Sequence, residues 1–373
     1  MNKKNYRKQT IAETKKPSIN TNLSKPKEEK APLTITRTAA ITIALVVTTA
    51  VVALGIYYLI VCNSDMLYMA QLKDFFTTDR TYLEECMRQP GGMISWVSSY
   101  LTQYFFHPTW GAGIMIALWV LSLWLSKWAF NVKMAWMALL AIPFVCLLVS
   151  TISIGYWLYY VKQTGYWFYG TVGYLAAMLL VLFNRYFNRK KADSIITTTL
   201  VAITYPFAGW YTLLALLYIA ANAYVKNFLS EQKLKEKDSI TDSAEESKDN
   251  SLLGRIATPL YPLLLIVFVP WISRQFYAEM RIEDAWTIGF PEFTNDKLVS
   301  YAPTIPFIIM AAVPLLFPFL PKRAELKGGM GLLTYVVTIA VLVGSYLWSD
   351  KKNFDNYNYH AEMRMYRAAD EQD

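Results

Sequence analysis

The chain has 373 residues, 54% hydrophobic, 15% aromatic and only 17% charged, too little charge to clothe a soluble enzyme of this length. Its net charge of +8 is concentrated before the first apolar run, where Lys3, Lys4, Arg7, Lys8, Lys15, Lys16, Lys25, Lys27, Lys30 and Arg37 stand against Glu13, Glu28 and Glu29, ten against three. A basic tail of this kind, without interleaved aromatics or a folded groove, speaks against a nucleic-acid partner and for anionic membrane lipid on the cytoplasmic side.

Residues 1–37 therefore read as a disordered basic cytoplasmic tail, rich in Lys, Thr, Asn and Pro. The run from Thr38 to Cys62 is too long for a signal-peptide core and lacks a small-residue cleavage site, so it reads as a retained anchor. A helix needs about 20 apolar residues to cross the hydrocarbon. Six further runs meet that need: Trp110–Phe130, Met134–Tyr160, Trp167–Phe187, Ile256–Phe276, Thr304–Leu320 and Gly329–Trp348. The predicted fold is an all-α polytopic helical bundle of about seven full spans.

Residues 63–109 form a non-spanning segment on the external side. Asp79 is placed to cap a short helix with Tyr82, Leu83, Cys86 and Met87 on one face, ended by Pro90-Gly91-Gly92. A second helix follows, closed by His107-Pro108. Met93, Val97, Tyr100, Leu101, Tyr104 and Phe105 recur at helical steps, with Ser95, Ser98, Ser99, Thr102 and Gln103 opposite. That pattern predicts an amphipathic helix lying in the lipid interface or docked on the bundle; Tyr100 and Gln103 could roof a lipid pocket. Asp65, Asp74, Asp79, Glu84 and Glu85 read for the most part as ordinary solvated carboxylates.

The apolar stretch from Ile195 to Tyr224 is broken by Tyr205-Pro206-Phe207-Ala208-Gly209-Trp210-Tyr211. Pro206 removes a backbone donor and Gly209 permits a turn. Arg185, Arg189, Lys190 and Lys191 mark one cytoplasmic loop, and Lys322, Arg323 and Lys327 another. Between them the broken stretch enters and leaves on the cytoplasmic side, as a re-entrant hairpin or as two short spans; a single kinked span is the alternative. Irregular backbone at membrane depth is tolerated where protein or water satisfies it, so Tyr205, Pro206, Gly209, Trp210 and Tyr211 are the candidate lining of a substrate or lipid pocket, or else interfacial anchors.

The remaining segments complete the division of the chain. Residues 38–225 form an amino-terminal membrane half, 226–255 a charged flexible cytoplasmic linker, 256–348 a carboxy-terminal membrane half and 349–373 a short external tail. Cys62, Cys86 and Cys146 make no disulfide framework; Cys62 and Cys86 could pair on the external side, with two thiols the simpler reading. His107 and His360 are the chain's two histidines, and no metal or cofactor motif is present.

Gln71-Leu72 with Phe75-Phe76, then Pro90-Gly91-Gly92, then Leu101-Thr102-Gln103-Tyr104-Phe105 before a span resembles an uncharacterised bacterial membrane-protein family, domain of unknown function 6057. Tyr205 to Tyr211 and the tail Asn356-Tyr357-Asn358-Tyr359 are similar to that family's pattern as well. The resemblance implies a longer external helical extension in some members and brings no catalytic residue. A looser likeness is to polytopic glycosyltransferases that use lipid-linked sugars, whose first external loop carries an acidic base just after the first span. By that likeness Asp65, three residues beyond Cys62, would accept the proton of an acceptor hydroxyl.

The expected function is a non-catalytic membrane subunit or scaffold of cell-envelope assembly in the cell inner membrane, in contact with lipid and other envelope membrane proteins. The alternatives are a lipid-linked-sugar transferase at the outer face and a permease or flippase. No ionisable residue falls at mid-span, where it would mark an ion path; Lys127 lies near a helix end and can snorkel.

Overall fold

The computed structural model describes residues 34–35, 37–133, 136–188, 191–238, 248–277, 280–281, 284–288, 301–320, 326–327, 336, 338–341, 343–348, 350–351 and 357–370. The basic tail up to residue 33, the middle of the charged linker and the basic loop at Lys322 and Arg323 lie outside them.

The fold is all-α. Four helical runs are long and apolar enough to cross a bilayer: Ile41–Cys62, Pro108–Phe130, Tyr166–Phe187 and Ala257–Phe276. Shorter apolar helices lie at Ile142–Ile152, Ser194–Ile203, Ile305–Phe319 and Thr338–Trp348. The chain is a membrane protein with a broken-helix interior.

Helix α1 (Arg37–Ile56) widens into a π-helical turn at Tyr57–Cys62, stopped by Asn63, whose amide donates back to Tyr58 O at 2.7 Å. Three short helices follow on what we term the upper face: α2 (Ser64–Lys73), α3 (Arg80–Cys86) and α4 (Gly92–Thr102). Asp79 caps α3 as expected, accepting from Arg80 N at 2.8 Å. From there α5 (Pro108–Phe130) descends with Pro108 at its start, where a missing N–H does no harm. It ends at Asn131 in the left-handed conformation, with Asn131 N–H on Trp128 O and Val132 N–H on Lys127 O.

The run predicted as one span over Met134–Tyr160 is instead three pieces: α6 (Met137–Leu140), α7 (Ile142–Ile152) and a 3₁₀ turn at Gly155–Tyr160. Pro143 near the start of α7 lacks the N–H that would have continued α6, and Gly155 at φ +46° turns the chain out of the helix. After the tight turn at Gly165, α8 (Tyr166–Phe187) descends beside α5. Trp119 Nε1 donates to Thr171 Oγ1 at 2.9 Å, the Ser126 and Tyr174 hydroxyls bond at 2.9 Å, and Arg185 reaches the last carbonyls of α5 at Trp128 and Ala129. Half of the apolar window of α5 and of α8 is buried, against 11% for Ala257–Phe276, so α5 and α8 form the centre and the latter the rim.

Helix α9 (Lys191–Ile203) climbs back along α8, its Thr197 and Thr198 hydroxyls accepting from Asn184 Nδ2 at 3.2 and 3.0 Å. A single turn, α10 (Tyr205–Ala208), caps it, and α11 (Trp210–Asp238) descends again. The charged segment expected to be a flexible linker from residue 226 thus stays helical to Asp238, because Lys, Glu and Gln are good helix formers. Helix α12 (Lys248–Ser273) rises with Pro259, Pro262 and Pro270 inside it. The Thr304–Leu320 span divides into α13 (Tyr301–Ala312) and a 3₁₀ stretch at Val313–Phe319, where Pro314 and Pro318 interrupt α-helical bonding. Thr34–Ile35 pairs antiparallel with Leu326–Lys327, joining the approach to α1 to the segment beyond α13. Helix α14 (Thr338–Trp348) returns to the upper face, where Trp348 Nε1 donates to Ser153 Oγ at 3.1 Å, and α15 (Tyr357–Asp370) lies on α2.

The core is rich in tyrosine: Tyr58, Tyr174, Tyr205, Tyr211, Tyr218 and Tyr359 are among its largest fully buried side chains. Hydroxyls in such a place need protein partners, and several tie helix to helix, as Tyr218 does by donating to Ala311 O at 2.7 Å.

Candidate functional site

Two glycine turns, far apart in sequence, meet at the upper face. In the first, Gly91 sits at φ +90° and opens α4; in the second, Gly209 at φ +52° and ψ −131° separates α10 from α11. Gly91 N–H donates to Pro206 O at 3.0 Å. The two backbones touch: a Cβ added to Gly209 would stand 2.9 Å from Pro90 O and 3.1 Å from Gly91 Cα. Pro206 O, at the break between α9 and α11, is thus satisfied by the turn that opens α4.

Around this joint the predicted pocket residues come together but fill space instead of enclosing it. Tyr205 is fully buried and donates to Ala285 O at 2.6 Å. Tyr211 is fully buried with its ring over Gly173, and half-buried Trp210 packs on Phe307 at 5.4 Å between centroids. A narrow cleft, with room for little more than a water, lies beyond Phe307 between α7, α8 and α13, lined by Leu147, Ser150, Gln163, Tyr166, Gly170 and Phe307 among others. Nothing in the hydrophobic pattern marks it, because its lining comes from three separate helices and a turn.

The amphipathic helix α4 packs on the bundle through its polar face. Ser98, Ser99 and Thr102 are fully buried, whereas Met93, Tyr100 and Tyr104 are each 41% exposed. Small side chains let α4 approach the turn before α8 closely, and Gly165 sits against Ser98 and Ser99. Thr102 satisfies its hydroxyl on Ser98 O at 2.8 Å. Turned outward, Tyr100 and Tyr104 share a hydroxyl contact of 2.9 Å and continue an aromatic row through Trp96 and Phe76. Tyr100 thus lies away from the hairpin break, and Gln103 is occupied in the outer layer, donating to Asp74 O at 2.6 Å and contacting Gln71 at 3.2 Å.

Asp74, one of the carboxylates read as mostly solvated, is the centre of that layer. Its carboxylate accepts from Ser99 Oγ and from Gly165 N–H, each at 3.0 Å, so it binds the end of α2 to α4 and to the turn before α8. Burial pushes its pKa up from 3.8 to about 6, opposed by the donors Ser99, Gly165 and Thr102. No sequence signal separates Asp74 from Asp79, since the burial is tertiary.

The sign of the resulting pH dependence follows. A carboxyl whose folded pKa is raised holds its proton more tightly when folded, so it adds stability as pH falls through about 6 toward 3.8. Asp74→Asn should remove that component. The thermal midpoint of the parent, followed from pH 7 to pH 5, should rise relative to that of Asp74→Asn. Parallel curves would remove Asp74 from this role.

Asp65 faces the carboxy-terminal helix. Its carboxylate pairs with Arg367 at 3.2 Å, with Asp65 21% and Arg367 30% exposed, and Arg367 also lies over the Tyr68 ring at 5.4 Å. Tyr68 donates to Asp370, Tyr156 donates to Glu362 at 3.0 Å, and Tyr359 and Met363 are buried beneath α15. Burial, helped by Arg364 and opposed by Asp65, lowers the His360 pKa. Cys62, Cys86 and Cys146 form no disulfide. Among the described residues no three or more His, Cys, Asp or Glu side chains are grouped to hold a metal ion.

One family model, described as a family of unknown function (DUF6057), matches residues 37–237. That match takes in α1, the upper-face helices and the whole hairpin up to α11. No curated protein and no solved structure matches the chain.

Proposed function

We propose that this chain, which belongs to the family of unknown function DUF6057, is a non-catalytic membrane subunit that holds a rigid outer layer for other envelope membrane proteins. The observation that carries the reading is the joint between Gly91 and Gly209, which fastens the external segment to the membrane hairpin by backbone contact. Such a joint suits a platform and not a moving lid. With α4 turned as it is, the outward aromatic row of Phe76, Trp96, Tyr100 and Tyr104 is what the platform presents.

In this reading the chain sits in the cell inner membrane with its basic tail cytoplasmic and α15 extracytoplasmic. Seven crossings, those at α6–α7 and at α13 with its 3₁₀ stretch broken by proline, are joined by the hairpin of α9 and α11, two short crossings that enter and leave on the cytoplasmic side. The pairing of Thr34–Ile35 with Leu326–Lys327 supports it, because it sets the end of the basic tail beside Lys327 of the second basic loop. Catalysis by Asp65 has less support, since Arg367 already holds that carboxylate. A permease has the cleft in its favour but no charged path.

Purification in mild detergent should recover a stoichiometric partner membrane protein. The paired change Tyr100→Ala and Tyr104→Ala should cut its recovery at least fivefold while the thermal midpoint of the subunit stays within a few degrees. Recovery of the bare chain from native membranes, or equal recovery by the variant, would count against the platform.

A further inference from the structure

We infer that α15 is an acid-released cover: protonation of His360 detaches the helix from α2 and opens the face that carries Asp65 and Tyr68. The docked helix is held by apolar and polar contacts together. Tyr359 and Met363 are fully buried beneath it, and around them Arg367 pairs with Asp65, Tyr68 donates to Asp370 and Tyr156 donates to Glu362. His360 stands inside this frame. Its Nε2 is buried and has no hydrogen-bond partner among the described residues, and its ring meets that of Tyr359 with 5.8 Å between centroids. A buried imidazole nitrogen without a partner is tolerable in the neutral ring and costly once the ring carries a charge.

The charges around the ring oppose that proton. His360, Arg364 and Arg367 fall at positions i, i+4 and i+7 of α15, one stripe of the helix, so protonation sets a third cation beside two. Two acids of the helix are turned elsewhere, Glu362 to Tyr156 and Asp370 to Tyr68, and Asp65 of α2, the carboxylate acting on His360, is already paired with Arg367. The 3₁₀ turn at Gly155–Tyr160 contributes the phenols of Tyr156 and Tyr159, with Lys73 over the Tyr159 ring at 4.2 Å. Burial first, and Arg364 second, lower the His360 pKa against the opposing pull of Asp65. Released, the imidazole regains its ordinary value of 6.5, so the free helix binds the proton more tightly; the contribution of His360 to docking is whole above that pH and is lost as pH falls below it. One pH unit lower, the loss can reach about tenfold in the docking equilibrium. With 14 residues, α15 has little helical stability of its own, so its release is also its unfolding.

The test is amide hydrogen exchange of the full chain in mild detergent, read on peptides covering 357–370 at pH 7.5 and pH 5.5 and corrected for intrinsic exchange. Protection there should fall by about threefold or more at the lower pH, while peptides covering α5 and α8 keep theirs. His360→Gln, which cannot take up the proton, should hold the ratio between the two pH values near one. Should its α15 be unprotected at pH 7.5, His360→Phe is read in its place. Tyr156→Phe removes the bond to Glu362 and should lower protection at both pH values without changing their ratio. Equal protection of the parent at both pH values, or the same ratio in the parent and a docked His360 variant, would overturn the switch. Loss of docking at pH 7.5 in both His360 variants would make His360 a packing residue and overturn it too. A ratio abolished by Tyr156→Phe would move the titration to Glu362 and overturn the assignment to His360.

Discussion

Gly209→Ala is expected to abolish the folded protein or to lower its thermal midpoint by 10 °C or more. At φ +52° and ψ −131° an alanine meets strain of about 1–3 kcal/mol before any neighbour is considered. Its Cβ would then press on Pro90 O at 2.9 Å and Gly91 Cα at 3.1 Å, both backbone atoms that no rotamer change can move. Relief requires the Pro90 turn to withdraw, which breaks the bond from Gly91 N–H to Pro206 O. Fluorescence-detected gel filtration after a heating series reads the outcome. Phe207→Ala, two residues away and 53% exposed, should lower the midpoint far less. Equal midpoints for Gly209→Ala and the parent would show that the joint is not held as described.

Gly173→Ala should be nearly as damaging, by another route. Gly173 has ordinary helical geometry within α8, where alanine alone would favour the helix by about 1 kcal/mol. Against that small gain, its Cβ would fall 2.0–2.3 Å from three ring atoms of Tyr211. Tyr211 is fully buried beside Tyr169 and Phe307, so the ring has nowhere to go, and overpacking of this kind costs about 1–3 kcal/mol or more. A cycle isolates the cause: Tyr211→Leu should rescue Gly173→Ala in part, and Tyr211→Phe, which keeps the ring, should not. Additive effects of Gly173→Ala and Tyr211→Leu would refute the contact.

Local features were legible where local physics sets them. The ends of α5 and α8 follow from apolar length, Pro108 and Gly165, and the start of α3 from the Asp79 cap. The hairpin was legible in Pro206 and Gly209, since proline and glycine act through their own backbone. The inward face of α4 was not. Periodicity locates the two faces, but close packing chose the serines over the tyrosines, and that choice depends on Gly165 on another element. Asp74 and the cleft escaped for the same reason: Asp74 becomes buried only when Ser99 and Gly165 are brought to it, and the cleft exists only between three helices. The breaks inside the Met134–Tyr160 run were written at Pro143 and Gly155, but a long apolar run masks its own interruptions when read by length.

The docking of α15 on α2 bears on how the molecule is made. Arg367 and Asp65 are separated by 302 positions, so a ribosome has inserted every helix between them before the two can meet. Throughout that interval the upper surface of α2 waits uncovered, with Tyr68 and Asp65 lacking the residues that later engage them. The docking of α15 therefore comes late in synthesis, and a chain cut short before it would leave that face of α2 uncovered.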